Sequence, residues 1–290
     1  MNKLAVLITS FNRKENTLAC IQSIYDQVNP NVEYKIFLTI DGSTDGTHTA
    51  VEATFPEVQL FFGDGNLFWA GGMRFCFDRI KQSGGEFDYY LLLNDDTVLF
   101  NNAFNGLLKD FQSLPSKESI IVGSTQGKNA RLENNFTYGG KILLNKYNSK
   151  SKFVLPNKKT PQICHLGNAN IMLIPNLVIK RIGFLSTQFT HGIADYEYTL
   201  RARKNKINSY ISSDYLGICH IGDNQIYTWK STTKSTLKER IDYLHSVKGL
   251  AYKEYMIYIK KYFPYYYPQS FIMLWAKTLF PVFWEKFKKR

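Results

Sequence analysis

The run Lys3-Leu4-Ala5-Val6-Leu7-Ile8-Thr9-Ser10-Phe11-Asn12-Arg13 decides the fold of this chain. Its apolar part is short and unbroken and halts at a polar turn, the pattern of a strand buried on both faces. Just after it, Leu18, Ile21, Ile24 and Tyr25 recur at helical spacing, and Asn29-Pro30-Asn31 closes the helix. A second strand follows from Tyr34 to Ile40 and stops at Asp41-Gly42-Ser43. Strand, helix, strand at this spacing predicts a parallel pair with a right-handed crossover.

The alternation continues outward. A helix is expected over about Thr47–Thr54, a short strand at Val58–Phe62, a helix over about Gly72–Gln82 and a strong strand at Tyr89–Leu93. This is the signature of an α/β fold built on a doubly wound, mostly parallel sheet. Ligands bind such sheets beyond the carboxyl ends of the strands. The segments Thr9–Arg13, Asp41–Asp45, Gly63–Gly72 and Asn94–Thr97 are therefore expected to converge. Past about residue 100 the periodicity weakens, with strand-like pieces at Ser119–Val122, Lys141–Leu144 and Asn170–Ile174 and a Lys-rich loop from Asn145 to Thr160. The expected organisation is one domain over 1–228, in which residues 101–228 complete the site formed by residues 1–100. A basic, aromatic, helical tail over 229–290 is appended to it.

Composition supports a folded protein, with 44% apolar and 15% aromatic residues among 290. The net charge of +12 suggests nucleic acid until it is located: thirteen of the 36 basic but only four of the 24 acidic residues lie from Lys230 onward. The excess belongs to the tail, outside the motif-bearing part, which argues against nucleic acid as a partner. The most apolar stretch of the tail, Phe271–Trp284, carries Lys277 and Pro281 and is shorter than the roughly 20 residues a spanning helix needs. Its basic residues, Trp275, Trp284 and the Tyr cluster suit the headgroup layer of a cytoplasmic leaflet, with packing on the catalytic half as the alternative. Cys20, Cys76, Cys164 and Cys219 are widely spaced and follow no export signal, so reduced thiols in a cytoplasmic protein are expected. The pairs Cys164-His165 and Cys219-His220 raise zinc, but adjacent residues rarely present both side chains to one tetrahedral ion.

Asn94-Asp95-Asp96 follows the apolar strand Tyr89–Leu93, which holds two carboxylates and an amide where a ligand would bind. Two acids this close repel unless a cation lies beside them, and Mg²⁺ or Mn²⁺ shared with a diphosphate meets that need with oxygen ligands. An Asp-rich turn whose side chains cap backbone groups is the other reading. In Asp41-Gly42-Ser43-Thr44-Asp45-Gly46-Thr47, Asp45 is placed as an N-cap, whereas Asp41 at the strand end is free to accept hydrogen bonds from a ribose or a base.

Taken together, these pieces resemble family 2 glycosyltransferases of the GT-A fold. The resemblance is carried by Leu7–Arg13, by the Asp-Gly-Ser-Thr-Asp-Gly-Thr run from Asp41 and by Leu-Leu-Leu-Asn-Asp-Asp-Thr from Leu91, and it covers roughly residues 3 to 222. Asp64-Gly65-Asn66-Leu67-Phe68-Trp69-Ala70-Gly71-Gly72-Met73 is similar to a segment of the branch containing bacterial rhamnosyl- and galactofuranosyltransferases. The resemblance implies that Thr9, Phe11, Asn12, Arg13, Asp41, Asn94 and Asp95 contact the nucleotide, and that Asp96 binds a divalent metal with the diphosphate. His220 either joins that metal shell or is structural. Asn66, Trp69, Gly71 and Gly72 are expected at the donor sugar and diphosphate, Trp69 stacking on a sugar face. Phe68 is read as core. Ala194-Asp195-Tyr196-Glu197 resembles the family segment that supplies the general base, here Asp195 with Glu197 as fallback. His191 is a weaker acceptor-site candidate. This chain departs from the pattern at Ile40, where many relatives carry an acid, and at Asp95, where many carry Pro.

The implied reaction is inverting transfer of a sugar from a UDP- or dTDP-linked donor to a hydroxyl of a glycan or lipid-linked glycan. The expected location is cytoplasmic, in peripheral contact with the inner membrane. The competing readings are a nucleic-acid-binding protein that uses the tail and a catalytically degenerate GT-A scaffold.

Overall fold

Successive residues of a strand point to opposite faces, so an unbroken apolar run is useful only where both faces are covered. In the computed structural model, which describes residues 2–28, 32–128, 130, 132–221 and 235–288, this is how β1 (Lys3–Ser10) and β4 (Tyr89–Asn94) are used. Ala5, Leu7, Tyr90 and Leu92 enter one core; Leu4, Val6, Ile8, Leu91 and Leu93 enter the other. The second face is covered by α1 (Lys14–Tyr25) and α4 (Ala103–Ser113), the first by α3 (Phe68–Gln82) and α6 (Ala194–Lys204).

The first half follows the sequence reading closely. β1 lies between β4 and β2 (Glu33–Asp41), parallel to both, and β2 is parallel to β3 (Gln59–Gly63). The second half extends the same sheet on the far side of β4. Here β12 (Ile171–Pro175) runs antiparallel to both β4 and β6 (Ser119–Gln126), while β13 (Asn208–Ile218) pairs parallel to β6. The main order is β10-β13-β6-β12-β4-β1-β2-β3, with β10 at Gln162–Cys164, and a three-stranded sheet stands beside it. The result is a mixed, mostly parallel α/β sheet of the GT-A type.

Two local expectations are corrected. Gly46, with φ +81°, is the N-cap of α2 (Thr47–Thr54), and Asp45 sits one residue earlier, accepting from the Thr47 N–H at 3.1 Å and from its hydroxyl. Helix α3 begins at Phe68, four residues ahead of the expected start, because the Phe68 N–H donates to Asp41 Oδ2 at 3.0 Å. The helix-closing turn Asn29–Asn31 and the expected boundary at 228/229 lie outside the described residues.

The C-terminal helices pack on the sheet domain. α7 (Leu237–His245) starts with a reciprocal capping box between Thr236 and Glu239. α8 (Tyr252–Tyr262) sends Tyr258 and Ile259, followed by Phe263, into the sheet core; each contributes about 1.5–3 kcal/mol by burial. Glu197, fully buried on α6, accepts from Lys261 Nζ at 2.8 Å and Tyr262 Oη at 2.7 Å, with Arg201 Nε at 3.4 Å. A buried carboxylate needs such company, so Glu197 anchors α8. On α9 (Tyr267–Leu279), Trp275 Nε1 donates to Tyr252 Oη at 3.2 Å, and Tyr262, Tyr266 and Tyr267 pack against the core. These aromatics pack on protein, whereas Tyr265 of the same cluster is exposed. No described helix is long and apolar enough to cross a membrane.

Candidate active site

The carboxyl ends of β1, β2 and β4 open into a cavity of about 740 Å³ lined by Thr9, Phe11, Arg13, Asp41, Trp69, Asn94, Asp95, Asp96 and Asp195. Nine of the expected site residues therefore meet, although they lie up to 186 positions apart in sequence. The register explains it: Thr9 pairs with Asn94 on one side and Thr39 on the other, so all three strand ends finish at one level.

The acid pair has a cation beside it. Arg13 Nη1 lies 3.1 Å from Asp95 Oδ1 and 2.8 Å from Asp96 Oδ2. Burial works against the Arg13 charge, but the two carboxylates outweigh it and its pKa is raised. Asp95 is 5% exposed, and burial lifts its carboxyl to about 6 against the pull of Arg13. Asp96 is more open and faces the cavity, its Oδ1 accepting from the Cys219 thiol at 3.5 Å. Asn94 Oδ1 is buried with no protein partner. Two carboxylates and a free amide oxygen fit a hard divalent ion that keeps further positions for phosphate and water. Among the described residues no three His, Cys, Asp or Glu side chains converge on a metal position, so phosphate oxygens would have to complete the set. The four cysteines are buried free thiols.

Asp41 is buried and bonded to a loop: Oδ1 accepts from the Gly65 N–H at 2.8 Å and Oδ2 from Phe68. Its first task is to hold residues 65–68 against the cavity. Phe68, expected in the core, lines the cavity instead, with φ +53° at the entry to α3. Several expected contacts lie elsewhere. Asn12 is outside the cavity and ties two loops together, its Oδ1 accepting from the Thr44 N–H at 2.8 Å and its N–H donating to Ser43 Oγ at 3.0 Å. Asn66 is exposed and does not line the cavity. Gly71 and Gly72 are buried inside α3, so they neither start the helix nor reach the cavity. A Cβ on Gly72 would meet Thr9 Cγ2 at 2.3 Å, which makes Gly72 the residue that lets α3 lie against β1. His220 is exposed and away from the lining; its Nδ1 accepts from the Lys128 N–H at 2.9 Å.

Asp195 opens α6, 7% exposed at the cavity wall. Its Oδ2 accepts from Asn168 Nδ2 at 2.9 Å and the Ala169 N–H at 3.2 Å, and its Oδ1 accepts from the Tyr196 N–H at 2.7 Å. Burial dominates these bonds and raises the carboxyl to about 6. Glu197, by contrast, is outside the cavity.

Sequence reasoning missed two stretches of wall. One is Asn168-Ala169-Asn170, the turn into β12, for which the only signal was a polar cluster ahead of a strand. The other is Ser246-Val247-Lys248, between α7 and α8, in the segment read as a separate tail. Lys248 Nζ stands 5.3 Å from the centre of the Phe11 ring. The turn that presents it is tight: Ala251 has φ +49°, and a Cβ on Gly249 would fall 2.0 Å from the Tyr243 carbonyl oxygen. Glu254 pins it to the catalytic half by accepting from the Thr190 N–H at 2.9 Å. His191, which also lines the cavity, has its pKa lowered by burial and further by Lys248 and Arg13.

Thr9 Oγ1, Trp69 Nε1, Asn94 Oδ1, Asn168 Oδ1 and His191 Nδ1 are all buried, without a protein partner, on side chains of this one cavity. Buried polar atoms are normally satisfied, so this grouping marks a place for a polar ligand.

The sequence pattern described as Glycosyl transferase family 2 matches residues 5–170, more than half of the chain. The chain belongs to glycosyl transferase family 2. No curated protein sequence matches it significantly. Among solved structures, S. aureus TarS 1-349 in complex with UDP-GlcNAc is similar at 13% identity and TM-score 0.55, over 84% of this chain and 67% of that one. The longer S. aureus TarS chain has TM-score 0.52 at 13% identity, over 84% of this chain and 40% of its own. The mannosyltransferase PcManGT from Pyrobaculum calidifontis, in complex with GDP-Man and Mn2+, has 13% identity and TM-score 0.52, over 76% and 56%. The chain therefore spans well under two thirds of the longer TarS chain and of PcManGT, and the likeness is one of fold. The family match ends at residue 170, so the Asp195 and Lys248 walls of this family 2 chain rest on its own geometry.

Proposed function

We propose that this chain is an inverting glycosyltransferase that moves a sugar from a nucleoside-diphosphate donor to a hydroxyl of a bacterial surface glycan. What carries the reading is that Asp195, the Asp95-Asp96 pair and five residues with partnerless buried polar atoms all line one cavity. In this reading Thr9, Phe11 and Asp41 hold the nucleoside, Arg13 and Lys248 meet the diphosphate, and Trp69 covers the sugar. Asp96, with Asn94 and Asp95 beside it, would hold Mn²⁺ or Mg²⁺, which supplies positive charge to the departing diphosphate. Asp195 takes the proton of the acceptor hydroxyl as that oxygen attacks the anomeric carbon. Its raised pKa makes it a stronger base than an exposed Asp while leaving it ionised at neutral pH. Asn168, bonded to Asp195 at 2.9 Å, orients it.

The mostly single-base arrangement favours direct displacement with inversion. The likeness of Asn66–Gly72 to the rhamnosyl- and galactofuranosyltransferase branch favours a UDP- or dTDP-linked rhamnose or furanose donor. A lipid-linked glycan at the cytoplasmic face of the inner membrane is the proposed acceptor. We take residues 1–228 as the catalytic domain, with 229–290 supplying one wall of its site. A thermal-shift screen of UDP, dTDP and GDP with and without Mn²⁺ tests the reading: a nucleotide and metal should stabilise together by more than the sum of their separate effects. Purely additive or absent shifts with all three nucleotides would defeat it and favour the degenerate scaffold.

A further inference from the structure

Helices α9 and α10 carry a run of exposed apolar side chains. Ile272 and Leu279 lie seven residues apart on one side of α9 and are 64% and 43% exposed. Phe280, Val282 and Phe283, where the chain turns into α10 (Pro281–Lys288), are 64%, 56% and 65% exposed. Side chains of this size are not left in water singly along one edge without cost, and a contiguous group marks an interaction surface. The opposite side of α9 is spoken for, since Leu274 packs with Leu244 and Met256 in a small core of the unit.

The charge of this part of the sequence selects the partner. Between Phe263 and Arg290 the sequence carries five basic residues, Lys277, Lys286, Lys288, Lys289 and Arg290, against the single acid Glu285. An apolar ridge within a cationic segment fits the boundary between anionic headgroups and acyl chains. The break at Phe280-Pro281 keeps α9 and α10 too short to span, which leaves contact in the plane of the interface as the geometry open to them at a bilayer.

We propose that the α9–α10 edge docks on an anionic lipid surface, with Ile272, Leu279, Phe280 and Phe283 entering the acyl boundary and Trp275 remaining inside the protein. This assigns the contact to different residues from those the sequence pattern suggests, and it does not depend on the transferase reading.

The test is sedimentation of the full chain with vesicles of phosphatidylcholine alone and with about 30 mol% phosphatidylglycerol. The wild type should bind the anionic vesicles at least about tenfold more tightly than the neutral ones, and less so at high salt. Phe280→Glu with Phe283→Glu should lower anionic-vesicle affinity about tenfold or more, with the melting temperature unchanged because both sites are exposed. Ile272→Glu, on the other helix, provides a second variant with the same expectation. Equal binding of wild type and these variants overturns the proposal. So does a concentration-dependent dimer in analytical ultracentrifugation that Phe280→Glu dissociates, since a second copy would then cover the edge.

Discussion

Replacing Asp195 by Asn should inactivate the enzyme and make it more stable. The carboxyl has a pKa of about 6 in the folded protein against 3.8 unperturbed, with burial as the leading cause. The folded state therefore holds the proton more tightly than the unfolded chain. Relative stability is greatest below pH 4 and is lost as pH rises through 6. At about 1.4 kcal/mol per unit, the ionised group costs about 3 kcal/mol at neutral pH. Asn removes that charge. Its oxygen can keep the bonds from Asn168 and Ala169, but its NH₂ then faces the Tyr196 N–H, now bonded at 2.7 Å, and losing that acceptor costs about 1–3 kcal/mol. The net gain is about 1 kcal/mol at pH 7.5, or a melting temperature raised by about 2–4 °C, shrinking to nothing or reversing below pH 4. Turnover should fall about 10²- to 10⁴-fold while the donor nucleotide still binds, and wild-type kcat/KM should drop as pH falls through 6. Calorimetry from pH 4 to 8 and a donor-transfer assay measure both arms. Turnover within tenfold of wild type would refute the base assignment; a stability difference that does not change with pH would refute the account of its burial.

Four further outcomes are expected. Asp96→Ala should weaken nucleoside-diphosphate binding by about tenfold or more in the presence of Mn²⁺ and little in its absence, read by calorimetric titration. Lys248→Ala should raise the dissociation constant for the nucleoside diphosphate about three- to tenfold with little change for the free nucleoside, the difference fading at high salt. Gly72→Ala should destabilise the fold by about 1–3 kcal/mol in urea, since the new methyl meets Thr9 Cγ2 at 2.3 Å. Glu197→Ala should cost about 3 kcal/mol and speed proteolytic release of the α7–α10 unit, because Lys261 and Tyr262 lose their acceptor and Arg201 loses its ion-pair partner.

Sequence alone determined the first half of the sheet, up to β4. Its strands are apolar on both faces and its loops end in recognisable polar turns, so local pattern specifies both the elements and the parallel order. That order in turn brings Thr9, Asp41 and Asn94–Asp96 to one cavity. Helix α3 shows where local reading stops: Gly71-Gly72 looks like a helix start or a phosphate loop, but a distant hydrogen bond to Asp41 starts the helix at Phe68, and the glycines are spent on packing against Thr9. The reversed strand β12 and the wall at Asn168–Asn170 depend on pairing between segments some 80 residues apart, which no local period encodes. The C-terminal unit is the fullest case. Its charge and aromatic content suit either lipid or packing on the rest of the chain, and local pattern does not show that α8 ends on buried Glu197, which accepts from Lys261 and Tyr262. Burial of Tyr258, Ile259 and Phe263 in the sheet core, with Glu197 bonded beside them, holds these helices on the sheet and brings Lys248 to the edge of the site.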